Sequence, residues 1–125
     1  MLKGDFFTIE RIVEKESATQ YFTHLNASHE IYNGHFPGDP ICPGVCNVQT
    51  IRECAEMKTG KKLRIDSISI CRFSALITPT GSPDLLITLE LTHNEDMTYA
   101  AIAKITSPDE QTLYLEYKGT YSEEM

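Results

Sequence analysis

Apolar and polar residues alternate through much of the chain, and the alternation predicts strands. Leu85, Ile87, Leu89 and Leu91 interleave with Leu86, Thr88, Glu90 and Thr92, the period of two of a half-buried strand. Tyr99, Ala101, Ala103 and Ile105 repeat it. Leu113, Leu115, Tyr117 and Tyr121 do so again against Glu116, Lys118 and Thr120. Turn-forming residues separate these runs at Thr78–Asp84, Asn94–Asp96 and Ser107–Glu110. Phe6–Lys15 and Thr19–Leu25 read as two earlier strands joined by a polar turn. Ile65–Ile77 reads as a long strand whose apolar face switches near Ile70–Cys71, which predicts a bulge or strong twist. One helix stands out, Val45–Lys58, opened by Pro43-Gly44 and closed by Gly60 in the C-cap region. Val48, Ile51 and Ala55 form its apolar stripe, and Gln49, Arg52, Glu53 and Glu56 a polar sector. The layout is α+β, a curved antiparallel sheet wrapped around one central helix. A single helix covers little of such a sheet, so a dimer is expected.

Length and charge narrow the function. The chain has 125 residues, one domain over 1–125, with 41% hydrophobic and 23% charged content. Its net charge of −7 argues against nucleic-acid binding through bulk positive charge. Apolar runs such as Leu85–Ile87 and Tyr99–Ala103 are too short to span a bilayer, and the first residues lack the apolar core of a secretion signal. A cytoplasmic protein without a membrane association is the expectation.

Cys42, Cys46, Cys54 and Cys71 contain no Cys-x-x-Cys pair, so free buried thiols are expected. Cys46 near a helix start has a nucleophile's position but no triad partner identifiable in the sequence. His24, His29 and His35 are spaced by five and six, which fits neither a helix face nor a zinc pattern, so no metal is expected. His93, beside Asn94-Glu95-Asp96, reads as a surface residue.

The stretch Asn33–Val45 carries three prolines and three glycines in thirteen residues, so it is an irregular loop rather than strand or helix. It delivers His35 just before a helix N-terminus, whose free amides can receive developing negative charge. A base beside oxyanion donors suits proton removal next to a carbonyl. A tight connecting loop with an incidental histidine fits the local chemistry equally well.

His35-Phe36-Pro37-Gly38-Asp39-Pro40-Ile41-Cys42-Pro43-Gly44 resembles the His-Phe-x-Gly-(His/Asp)-Pro-x-x-Pro-Gly motif of the β-hydroxyacyl-acyl-carrier-protein dehydratases, the FabZ/FabA-like family of the hot-dog superfamily. Arg72-Phe73 and Thr78-Pro79-Thr80-Gly81 are similar to that family's later strand and turn. The resemblance implies a hot-dog dimer with two sites at the subunit interface. It implies His35 as the base that removes the α-proton of a β-hydroxyacyl thioester, and the Gly44 amide as the thioester-oxygen donor. The acid that protonates the departing hydroxyl, which the resemblance places on the partner's central helix, falls on Gln49, where the family has Glu or Asp.

A carboxamide cannot give up a proton at neutral pH, and losing a general acid costs roughly 10²–10⁴-fold in rate. Glu53, one turn on, is an alternative acid, but a turn displaces its carboxylate by about 5.4 Å along the axis. A solvated or Arg52-adjacent surface charge is the preferred reading of Glu53. Lys58, Lys61, Lys62 and Arg64 form the one concentrated cationic patch. They read either as cations favoured at a helix C-terminus or as a dock for an acidic acyl carrier protein. Together these features predict a 3-hydroxyacyl-[acyl-carrier-protein] dehydratase-like lyase, weak or specialised in turnover. Its substrate is carried on a phosphopantetheine arm, by acyl carrier protein or coenzyme A, with no further cofactor. Two rivals stand beside it: a non-catalytic partner subunit of a heterodimer, and a hot-dog thioesterase.

Overall fold

The computed structural model describes residues 2–34 and 41–124. In chain order the elements are β1 (Phe7–Glu14), β2 (Thr19–Leu25), a five-residue 3-10 helix (Glu30–Gly34), α1 (Gly44–Thr59), β3 (Leu63–Phe73), β4 (Asp84–His93), β5 (Thr98–Thr106) and β6 (Leu113–Glu123). The six strands make one sheet in the order β1-β2-β4-β5-β6-β3, every neighbouring pair antiparallel. The sheet curves around α1, as the alternation and the lone helical segment predict. The 3-10 helix has no counterpart in the apolar pattern, because one short turn leaves no period to read.

The alternation works as expected along β4, β5 and β6. Ile87, Leu89, Ala101, Ala103, Ile105, Leu115, Tyr117 and Tyr121 are buried with Ile51, Cys54 and Ala55 of α1. Each large aliphatic side chain removed from water in this way contributes about 1.5–3 kcal/mol. The Tyr21 hydroxyl donates to the Cys54 carbonyl at 3.1 Å and ties the helix to β2.

The helix departs from simple amphipathicity. Its buried face includes Asn47, Thr50 and Glu53 as well as Cys46, Ile51, Cys54 and Ala55, while Val48 is only partly buried. Glu53 is 1% exposed, which corrects its reading as a surface charge. Thr50 bonds back to the Cys46 carbonyl, and Glu53 accepts from main-chain amides, so these polar groups enter the interior already paired. Gly60 closes the helix in the left-handed region at φ 71°, donating its N–H to the Glu56 carbonyl at 2.8 Å.

β3 lies at the sheet edge and ends four residues earlier than the apolar run predicts. Ser74 donates to the Tyr114 carbonyl, after which the chain leaves β6, and the Ile77 carbonyl bonds Cys42 instead. Two register shifts, at Ile65/Ser67 and Ile68/Ile70, replace the single break expected near Ile70–Cys71. They keep Ile65, Ile68, Cys71 and Phe73 opposite Tyr121, Gly119, Tyr117 and Leu115, on the core side of the sheet. Gly119 is required there, because a Cβ would sit 2.5 Å from the Ser67 carbonyl oxygen. α1 does not reach far enough to cover this edge. Phe73 is 51% exposed and Leu76 69%, with Ile68 and Val45 also open, and Cys71 is exposed rather than buried as expected.

Candidate functional site

The loop that enters α1 is pinned at its end by the Cys42 N–H donating to the Ile77 carbonyl at 2.8 Å. Pro43 occupies the N-cap with φ −62° and ψ 141°, and no side chain caps the helix start. Cys46 and Asn47 donate to the Pro43 carbonyl. The Gly44 amide, one of the free donors of a helix N-terminus, has no partner among the described residues and can receive a ligand atom. Gly44 is glycine for a steric reason: an added Cβ would lie 2.9 Å from Cζ of Phe73.

Beside that amide opens a largely apolar groove of about 540 Å³, lined by Ile41, Pro43, Phe73, Ala75, Leu76 and Ile77, with Gly44 and Asn47 also in its lining. Cys42 bonds the Asn47 side-chain oxygen at 3.1 Å beneath it. Burial, then the neighbouring Cys46, pushes the Cys42 thiol up to about 12, and burial also raises Cys46. Neither sulfur is a thiolate near neutral pH, so Cys46 lacks the state a nucleophile needs despite its place at the helix start. Tyr32 lies beside Cys42, and burial raises its phenol as well.

His35 lies outside the described residues, as do Pro37, Gly38 and Asp39. The segment leading to it is well tied. The Ile31 N–H donates to Nδ1 of His29 at 3.1 Å, and Nε2 of His29 faces Asp5 at 3.3 Å. With Nδ1 accepting, the proton sits on Nε2 and points to the carboxylate. Phe6 packs on both His29 and Tyr32. His24 is engaged elsewhere, on the exposed sheet surface, with Asp84 at 2.8 Å and Glu10 at 3.8 Å. The exposed His93 stacks on Tyr99.

Gln49 and Glu53 are brought into contact. Nε2 of Gln49 donates to Oε2 of Glu53 at 2.8 Å. The same carboxylate accepts from the Leu2 N–H at 2.9 Å and the Lys3 N–H at 2.9 Å. Among the described residues, every partner of the Glu53 carboxylate is an N–H donor, and Glu53 is 1% exposed. Nothing in the spacing of Glu53 marked it as buried. The signal was present only in the register of the N-terminal turn, where Leu2 and Lys3 reach α1.

The cationic patch is partly neutralised at the far end of the helix. Lys58 bonds Glu14 at 2.8 Å, and this contact is the first cause holding the Glu14 carboxyl below its usual range. Arg64 donates to Ser122 and faces Asp66. Lys61 and Lys62 are exposed.

The chain is 28% identical over 104 residues to the 3-hydroxyacyl-[acyl-carrier-protein] dehydratase FabZ of Ligilactobacillus salivarius, covering 78% of this chain and 74% of that protein. It is 27% identical over 110 residues to FabZ of Listeria monocytogenes, covering 81% and 75%. Among solved structures, the dehydratase heterocomplex ApeI:P of Xenorhabdus doucetiae superposes with a TM-score of 0.61 at 16% identity, covering 90% of this chain and 95% of that one. The protein yhdA of Lactococcus lactis superposes at 0.67 and 14% identity, covering 95% and 92%. The fold is the hot-dog arrangement that the loop motif implied. Residues 11–112 match the ApeI-like family model, described as ApeI dehydratase, and the chain belongs to that family.

Proposed function

We propose that the protein binds 3-hydroxyacyl thioesters in the groove beside Gly44 and acts as a 3-hydroxyacyl-[acyl-carrier-protein] dehydratase of reduced or specialised activity. The observation that carries the reading is the Gly44 amide, without a hydrogen-bond partner among the described residues, in the lining of an apolar groove. The amide would receive the thioester oxygen as the α-proton leaves to His35, stabilising the enolate-like charge. The acyl chain would lie along Phe73, Leu76 and Ile77. The departing hydroxyl would meet Gln49 contributed by the second chain of the dimer, which can bind it but has no proton to supply.

The uncovered core side of β3 supports a dimer. Ile68, Cys71, Phe73 and Leu76, with Val45 of α1, form an apolar face that a second hot-dog chain would bury. Because Gln49 stands where the family has an acid and a structural neighbour is a dehydratase heterocomplex, a second reading has specific support. In that reading the chain is one half of a heterodimer whose other subunit carries the acid.

Enoyl formation from 3-hydroxyacyl-carrier-protein substrates, followed for wild type, Gln49→Glu and His35→Ala, tests both readings. Slow wild type, faster Gln49→Glu and inactive His35→Ala support the dehydratase reading. Activity that appears only on mixing with an acid-bearing homologue supports the heterodimer. Release of free thiol without enoyl product refutes both and marks a thioesterase.

A further inference from the structure

We propose that Asn47 is a second hydrogen-bond donor to the thioester oxygen, so that its side-chain amide and the Gly44 N–H receive that oxygen together, with Cys42 as the positioning residue that aims the amide. The proposal rests on the acyl-thioester reading of the groove. It adds to that reading a side chain that neither the loop motif nor the apolar pattern singles out.

Gly44 and Asn47 both line the groove, three residues apart and so on one face of α1. Helical side chains lean toward the N-terminus of their helix. Asn47 leans far enough for its Oδ1 to meet Sγ of Cys42, ahead of the N-cap, at 3.1 Å. Its amide therefore stands at the level of the first turn, where the Gly44 N–H opens to the groove. Asn47 is only 4% exposed, and the other side chains in the lining are apolar apart from Cys42 and Ser74. Leucine would pack such a wall without cost, whereas a buried amide needs partners for both of its ends.

Cys42 decides which end of the amide faces the groove. Burial keeps that thiol protonated, so it donates to Oδ1 and holds the oxygen on its own side. Nδ2 then points away from Cys42 with its N–H donors, and no acceptor takes them among the described residues. Main chain fixes both residues: the Cys42 N–H donates to the Ile77 carbonyl at 2.8 Å, and the Asn47 N–H to the Pro43 carbonyl at 3.3 Å. A thioester oxygen has a lone pair for each of two donors, and it gains negative charge as the α-proton leaves. One preorganised donor aimed at such an oxygen is worth about 10²–10³-fold in kcat.

The test is the infrared carbonyl band of protein-bound octanoyl-pantetheine thioester, isotopically labelled at the carbonyl carbon, a probe with no 3-hydroxyl to lose. Each hydrogen bond to the oxygen weakens the C=O bond and lowers its frequency. The band should therefore move upward from wild type to Asn47→Leu, which keeps the size of the side chain and removes its donor. Cys42→Ser retains a donor to Oδ1 and should keep the wild-type frequency. Cys42→Ala frees the amide to turn and should move the band upward. A purely structural Asn47 would leave the band indifferent to that Ser and Ala pair, and the pair does not depend on the folding of Asn47→Leu. An Asn47→Leu band at the wild-type frequency, or coincident bands for the two Cys42 variants, overturns the proposal and leaves the Gly44 site in place. Failure of wild type to bind the probe overturns the thioester reading and this proposal with it.

Discussion

Replacing Gln49 by Glu places a second carboxylate where an amide now sits 2.8 Å from Oε2 of Glu53. Two unit charges at that distance repel by about 6 kcal/mol at an effective dielectric of about 20. Since one pKa unit is worth about 1.4 kcal/mol, the pair would hold one proton up to about four units beyond an isolated carboxylate. Gln49→Glu therefore creates a proton-sharing dyad rather than two ordinary acids, and the shared proton is available to a departing hydroxyl near neutral pH. The sign follows from the acid's role. A general acid works while protonated, so the rate falls as pH rises through its pKa. Enoyl formation by Gln49→Glu should rise about 10²–10⁴-fold over wild type. Its basic limb should lie at least about two pH units above that of Gln49→Glu/Glu53→Gln, in which the neighbour is neutral. The assay is the pH–rate profile of both variants on one carrier-bound substrate. Coincident profiles would refute the contact between positions 49 and 53.

Other consequences are checked separately. Gly44→Ala forces a methyl against the Phe73 ring and should cost about 1–3 kcal/mol in denaturant unfolding, with Gly44→Ala/Phe73→Leu recovering most of it. Phe73→Asp on the uncovered face should convert a dimer to monomer in sedimentation, and Cys71 should then react with a maleimide that the wild-type dimer excludes. Cys42, with its thiol pushed up to about 12, should stay unlabelled in both at pH 8. Lys61→Glu/Lys62→Glu should raise KM for carrier-bound substrate and leave KM for the pantetheine-bound substrate unchanged, if these exposed lysines dock the carrier.

Much of this architecture was legible because strands with one buried face must alternate. β4, β5 and β6 follow the alternation almost residue for residue, and Gly60 marked the helix end through a conformation few other residues adopt. The loop motif pointed to Gly44 as an amide donor, whereas the Phe73 ring that forbids a Cβ there gave no local sign of that contact. Two features escaped because they depend on distant partners. Glu53 has the pattern of a solvated helix charge, and backbone amides some fifty residues away, with the Gln49 side chain, make its burial tolerable. The end of β3 at Phe73 depends on the Ile77 carbonyl finding Cys42 rather than β6, a choice between two partners that an apolar run cannot express.

A crystal structure of the protein with 3-hydroxyoctanoyl-pantetheine amide tests the central claim most directly. The account predicts the acyl chain in the groove between Phe73, Leu76 and Ile77, with the carbonyl oxygen within about 3 Å of the Gly44 amide. A probe bound elsewhere, or seated in the groove with its carbonyl turned away from Gly44, would contradict it.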